Sequence, residues 1–389
     1  MIGNKPLLTA SDLDMAHPGS TKTRVDIIYF NAGGGHRAAA AALQQVMHGQ
    51  GWQVRLVHLF DILDPCSLFA KTLGFQPEDI YNKQLAHGMT LGMSLELKLL
   101  QMLIRLGHQA MVKRMCAYWR DARPDMVVSV IPNFNRALCE SLKLAMPSTP
   151  YVTVLTDMAD HPPAFWVEPE QPQQLVCGTA YAAQQATSAG CSAQRVHQSS
   201  GMILSPRFYE PSAADRWVER FKHGFADKQA VGLVMFGGYG AEVMKTIATR
   251  LIDTPLILVC GKNAALANSL RAMATQAPHV VVEFTNDMAY WMRLADFFIG
   301  KPGPGSLSEA VHMGLPVVIT CNAWTMPQER WNTQWVRHNG LGLVLNSFRG
   351  VRSAVYEMVR DLPRWQNNVR QMQNRAVFEV PQLLAKLAK

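Results

Sequence analysis

No stretch of this sequence reaches the ~20 consecutive apolar residues that a membrane-spanning helix needs, so a membrane span is not expected. The seven cysteines (Cys66, Cys116, Cys139, Cys177, Cys191, Cys260 and Cys321) form no C-x-x-C pair and no His/Cys cluster at metal-ligand spacing. That excludes a zinc module and fits free thiols in a reducing cytoplasm. There is no G-x-G-x-x-G, so a dinucleotide is not implied, and no G-x-x-x-x-G-K-[ST], so this is not an NTPase P-loop. The first 23 residues are polar and have no apolar h-region; they predict a loose tail and no secretory signal. Charged residues make up 17% of the chain and apolar residues 48%, which is globular and not disordered. At 389 residues it can bury two ordinary cores.

What is present is an alternation of apolar β-rich runs and helical runs in two halves, which predicts α/β architecture with doubly wound parallel sheets. The first half, residues 24–205, has strand-like runs at 25–30, 53–57, 126–131, 151–156 and 175–177. A linker with Pro206 and Pro211 follows. The second half, 206–370, has such runs at 231–236, 256–260, 280–283, 296–299, 316–319 and 343–345, and 371–389 reads as a terminal helical segment. Two such halves place their carboxyl-end crevices across a cleft from one another.

Two glycine turns stand out. Gly33-Gly34-Gly35-His36 follows the first strand and precedes the alanine-rich run 38–47. Glycines there let the backbone approach a bound group closely. His36 falls in the first turn of that helix, whose positive end disfavours imidazolium and keeps it a proton acceptor; the alternative is a surface cap residue. The second turn, Lys301-Pro302-Gly303-Pro304-Gly305-Ser306, lies between strand 296–299 and a short helix. Its N–H groups and helix end suit a phosphate. Ser306 at the N-cap with Glu309 three residues on also spells a capping box, so both readings stand at this point.

The net charge is +8, and residues 83–123 hold seven Lys/Arg against two acidic residues. The same stretch is rich in Met and Leu. It reads either as a surface that meets anionic lipid headgroups and an acyl chain, or as a core helical hairpin with solvated basic ends. Nucleic acid is not expected, because the cations are interleaved with aliphatics and not with stacking aromatics.

These residues resemble the GT-B glycosyltransferases, and within them the monogalactosyldiacylglycerol synthase group, itself related to the peptidoglycan N-acetylglucosaminyl transferase. The resemblance runs from about Arg24 to about Ser347. It rests on Gly33–Arg37, Val154-Leu155-Thr156-Asp157 with His161-Pro162, Phe236-Gly237-Gly238, Val259–Asn263, Lys301–Ala310, Gly314-Leu315-Pro316, and Pro327-Gln328-Glu329 with Asn332. It implies a GT-B fold of two Rossmann-like domains. The implied enzyme is peripheral on the inner face of the cytoplasmic membrane. It would move a hexose from a UDP-sugar to a lipid hydroxyl, that of diacylglycerol, with no cofactor and no metal. By the same resemblance His36 is the base, and Gly33, Gly34, Gly35, Asp157 and His161 line the acceptor side. Gly237 and Gly238 open the donor half, while Phe284 and Met288 lie along the uracil. Gly303, Gly305 and Ser306 hold the diphosphate, Glu309 the ribose, and Gln328 and Glu329 the sugar. The one D-x-D, Asp12-Leu13-Asp14, sits in the tail.

The sequence departs from the family in having Pro327 where glycine is usual, one residue fewer between Asp157 and His161, and a displaced tryptophan, with Phe165 and Trp166 near its place. Those changes touch the sugar and acceptor ends. Asp157 and His161 can also be read as a buried hydrogen-bonded pair. A GT-B enzyme with a soluble acceptor, a UDP-sugar 2-epimerase, and a non-catalytic UDP-sugar-binding protein remain the other readings.

Overall fold

The computed structural model describes residues 23–31, 34–64, 93–212, 214–226, 229–238 and 240–388. Gly33 and residues 83–92 of the basic stretch therefore lie outside the described residues, as do residues 1–22 of the tail expected over 1–23.

The first sheet contains β1 (Arg24–Tyr29), β2 (Gln53–His58), β3 (Met126–Ser129), β4 (Tyr151–Val154), β5 (Gln174–Cys177) and β6 (Val196–Gln198), in the order β2-β1-β3-β4-β5-β6. The second contains β7 (Gly232–Met235), β8 (Leu256–Gly261), β9 (His279–Glu283), β10 (Phe297–Gly300), β11 (Val317–Thr320) and β12 (Gly342–Leu345), in the order β12-β11-β10-β7-β8-β9. Every pairing is parallel.

Continuous apolar runs make these strands. β3, β4, β7 and β10 are buried at every position, as strands with helices on both faces must be. Alternate side chains feed separate cores. Leu233 and Met235 join Ile257, Val259 and Phe298 on one face. Val234 joins Leu256, Leu258, Phe297 and Ile299 on the other. In the first sheet Ile28 and Val127 likewise face away from Val25, Ile27, Met126 and Val128.

Each sheet reverses its winding once, between β1 and β3 in the first and between β7 and β10 in the second. Ligand crevices of open parallel sheets form at such points, outside the carboxyl ends of the strands. The helix Ala376–Leu387 returns from the second domain to the first, where Val380 and Leu384 pack with Ala40, Leu43 and Met47.

Among the described residues, several short elements were not foreseen in the sequence. β6 has only three residues. Helix Arg216–Lys222 is held through Asp296, which bonds Arg216 Nη2 at 2.7 Å and Arg220 Nη2 at 2.5 Å. Helix Leu362–Arg370 opens on a Leu-Pro pair.

The basic stretch is divided between two roles. Helix His108–Ala122 buries Val112, Met115, Cys116 and Trp119 in the first core, as the hairpin reading required. Helix Met93–Leu106 instead leaves Leu99, Leu100, Met102, Leu103 and Leu106 exposed, the last at 76%. Its inner side reaches the core through Ile104.

Candidate active site

Gly34 caps helix Gly35–Gly49 in the left-handed region, at φ 81°, a conformation that glycine takes without strain. A Cβ on Gly34 or Gly35 would meet nothing within 4 Å, so both face open space. His36 is the second residue of the helix. Its Nδ1 lies 2.9 Å from the Val130 carbonyl, just beyond β3, and 2.9 Å from Thr156 Oγ1, just beyond β4. A carbonyl only accepts, so Nδ1 carries the proton and Nε2 carries the lone pair of the neutral ring. The ring also packs 4.7 Å from Phe30 and 6.1 Å from Trp166, measured between centroids. His36 is thus built into the β1/β3 switch point and is not a simple surface cap.

Asp157 is buried, and its Oδ2 accepts from Trp166 Nε1 at 3.0 Å. Burial pushes its carboxyl up to about 7; the Trp166 bond and Lys301 oppose that shift, and Glu329 and Asp160 add to it. Lys301 and Glu329 belong to the second domain, so this carboxyl faces across the cleft. The buried Asp157–His161 pair of the alternative reading is not formed. The partner of Asp157 is Trp166, while the His161 ring lies 6.2 Å from that of Tyr181. The buried Asp160 explains the difference. It accepts backbone N–H bonds from Ala164 (3.1 Å), Phe165 (3.0 Å) and Trp166 (2.7 Å), turning the loop so that Trp166 swings in. Asp160 went unremarked in the sequence, although it stands three residues from Asp157, and Thr156 was read only as part of a motif, with no role of its own.

On the donor side, helix Pro304–His312 starts one turn earlier than the capping-box reading needs. Gly303 is its N-cap, Pro304 its first residue and Ser306 its third, and no side chain caps it. Pro304 fixes this start, since proline is preorganised for the first helical position. The first-turn N–H groups are therefore available to an anion at the β7/β10 switch point. A Cβ on Gly305 would meet nothing within 4 Å.

Glu309, in the second turn of the helix, is partly exposed. Its carboxyl is nonetheless enclosed, and desolvation pushes it up to about 7. Glu329 is buried, and its Oε1 accepts from Lys301 Nζ at 2.7 Å. Gln328 is partly exposed one residue before it. Asn332 Nδ2 donates to the Pro302 carbonyl at 2.8 Å, tying the helix after Glu329 to the glycine loop.

Beside this loop, Gly237 takes φ 79°, and a Cβ on Gly261 would run into the Gly238 carbonyl. Lys262 N donates to that same carbonyl at 2.9 Å. Phe284 is 57% exposed, and the Lys262 ammonium stands 5.3 Å from its ring centre. Met288 opens helix Met288–Leu294, capped by Asp287. Lys301 was read in the sequence only as the residue that opens the glycine turn; its pairing with Glu329 is what the structure adds. Among the described residues no group of three or more His, Cys, Asp or Glu could hold a metal ion.

This pairing of two switch-point crevices has known counterparts. MurG from Acinetobacter baumannii superposes with a TM-score of 0.57 at 16% identity, over 94% of this chain and 100% of that one. The fold is GT-B. Residues 239–381 match the family model "Glycosyltransferase family 28 C-terminal domain". The chain is 26% identical over 364 residues to a probable chloroplastic monogalactosyldiacylglycerol synthase of Glycine max, covering 87% of this chain and 66% of that relative. It is 24% identical over 387 residues to monogalactosyldiacylglycerol synthase 1 of Arabidopsis thaliana, covering 92% and 69%. The chain therefore spans about two thirds of the length of these relatives, and the resemblance read from the glycine turns holds. Among the described residues no helix is long and apolar enough to cross a membrane.

Proposed function

We propose that this protein is a UDP-sugar-dependent hexosyltransferase that glycosylates a membrane lipid hydroxyl, that of diacylglycerol. The observation that carries the reading is the pairing of two half-sites. A histidine with an oriented tautomer stands at one switch point, and an uncapped helix N-terminus stands at the other.

The chemistry assigns each a task. The lipid oxygen attacks the anomeric carbon, the bond from that carbon to the diphosphate oxygen breaks, and the hydroxyl proton passes to His36 Nε2. Charge growing on the leaving diphosphate meets the N–H groups of Gly305 and Ser306 and the positive helix end, a stabilisation that needs no metal. Glu309 accepts from the ribose hydroxyls, and Gln328 and Glu329 bind hydroxyls of the sugar. Phe284 and Met288 lie along the uracil, and Gly237 and Gly238 leave room for the donor. On the other wall Gly34, Gly35, Asp157 and His161 line the acceptor.

Support for a lipid acceptor comes from helix Met93–Leu106. Its outer face is Leu99, Leu100, Met102, Leu103 and Leu106, while Gln101 Nε2 donates to Asn133 Oδ1 at 3.2 Å. Ile104 enters a cluster with Phe134, and Phe30 in the same cluster contacts His36. An acyl chain lying on the exposed leucines would thus run toward the base. With Arg105, Lys113 and Arg120 exposed nearby, this face suits an anionic membrane surface. The described cysteines are all free thiols, in keeping with the cytoplasmic side of a membrane, where UDP-sugars reside. Incubation with UDP-galactose or UDP-glucose and diacylglycerol liposomes, followed by mass spectrometry of the extracted lipid, tests the proposal. A glycosyldiacylglycerol is expected; sugar transfer only to soluble alcohols would overturn it.

A further inference from the structure

Tyr181 of the first domain and Trp331 of the second lie flat against each other, ring centroids 4.6 Å apart and planes within 5°. Both rings are half-buried. Tyr181 is the second residue of helix Ala180–Ser188, whose start is fixed by Thr179. The Thr179 hydroxyl accepts from Ala182 N at 3.1 Å and donates to the Met158 carbonyl at 2.6 Å. Tyr181 is therefore tied to the segment carrying Asp157 and His161, and its ring neighbours that of His161. Trp331 is the second residue of helix Arg330–His338. Two residues before it, Glu329 pairs with Lys301; one residue after it, Asn332 bonds the Pro302 carbonyl. Trp331 is thus fixed to both strands of the donor site, the glycine loop and the sugar-facing turn.

A coplanar stack is sensitive to tilt and slide, because contact falls away as the planes splay. Each ring stands at a helix start that hydrogen bonds of neighbouring residues fix to one side of the cleft, so rotation of one domain against the other must shear this pair. We propose that Tyr181 and Trp331 are positioning residues whose stack sets the separation between the acceptor segment Asp157–His161 and the donor segments Lys301–Ser306 and Gln328–Glu329. Neither ring takes part in the chemistry. Their role is to hold the attacking oxygen and the anomeric carbon in reach once both ligands are bound, where a misplacement of about 1 Å can cost about 100-fold in rate. The kinetic consequence rests on the hexosyltransferase reading; the structural one does not.

The test compares Tyr181→Ala, Trp331→Ala, the double variant, Tyr181→Phe and Trp331→Phe. For each, small-angle X-ray scattering is recorded with saturating UDP, UDP affinity by calorimetry, and kcat/KM with the lipid acceptor. The alanine variants are expected to show a larger radius of gyration, unchanged UDP affinity and a loss of about 10–100-fold in kcat/KM. The double variant should lose no more than the worse single one, as for two residues acting as a unit. The phenylalanine variants keep a flat ring and should retain the parent's scattering and most of its rate, which separates positioning from a general packing defect. Parent-like scattering in the alanine variants, or additive losses in the double variant, would overturn the proposal. If the parent transfers no sugar, the functional reading fails while the scattering comparison still decides the stack.

Discussion

Lys301 Nζ stands 2.7 Å from Glu329 Oε1, joining the residue before the Gly303–Ser306 loop to the turn Pro327–Glu329. The Glu329 side chain is 4% exposed, that of Lys301 34%. Removing the lysine would leave a carboxylate buried without its partner, which is more costly than the pair itself is stabilising. Lys301→Met is expected to destabilise the protein by about 1–3 kcal/mol, between the cost of breaking a fully buried pair and that of an exposed one, because water reaches the lysine. Adding Glu329→Gln should recover part of that loss. Urea denaturation of both variants measures it, and equal stability of Lys301→Met and the parent would show the pair to be idle.

A second prediction concerns Glu309. If its carboxylate accepts from ribose hydroxyls, Glu309→Ala should weaken UDP binding by about 1–3 kcal/mol with magnesium absent and EDTA present. Calorimetry is the check. Unchanged affinity in a folded variant would remove Glu309 from the nucleotide site.

The pH dependence of stability follows from the same carboxyl and from Asp157. Burial holds each at about 7, above the ordinary 4.5 and 3.8. Between roughly pH 4 and 7 the folded protein therefore binds more protons than the unfolded chain, so these two groups make stability fall as pH rises. Their favourable contribution is complete below the unfolded values and lost once pH passes the folded ones. Glu309→Gln and Asp157→Asn should each flatten the decline in melting temperature between pH 5 and pH 7.5. Curves that run parallel to the parent's would show that neither group titrates in that window.

The membrane prediction separates two kinds of residue in the basic stretch. Arg114 donates through Nη1 to the Leu63 carbonyl, so its substitution would damage the fold and is a poor probe. Leu103→Gln with Leu106→Gln, on the exposed face, should reduce sedimentation with anionic liposomes even at high salt. Arg105→Gln with Lys113→Gln should reduce it only at low salt, as expected for a screened attraction. UDP affinity should stay unchanged in both. Full sedimentation of the leucine variant would assign the membrane contact elsewhere.

How much of this was legible in the sequence depended on whether the signal was local. The parallel strands were readable because runs such as Leu256–Cys260 are apolar on both faces, which only a doubly covered strand tolerates. The glycine turns were readable because strand, turn and helix followed in order. β6 was not, since Val-His-Gln is too short to show a period and forms only by pairing with β5. The capping box at Ser306 failed because Pro304 starts the helix earlier, a local rule that outranked another local rule. The Asp157–Trp166 bond, the Lys301–Glu329 pair and the division of the basic stretch were hidden for a different reason: each depends on how the chain folds back on itself.

The claim that His36 is the base facing a metal-free donor site is tested most directly by one comparison. Parent and His36→Ala are assayed in EDTA with UDP-sugar and diacylglycerol liposomes, and UDP affinity is measured on the same preparations. The account predicts a parent that turns over without metal and a variant whose kcat falls by about 10²–10⁴ while UDP affinity is retained. Parent activity that requires a divalent cation, or a variant that keeps its kcat, would contradict it.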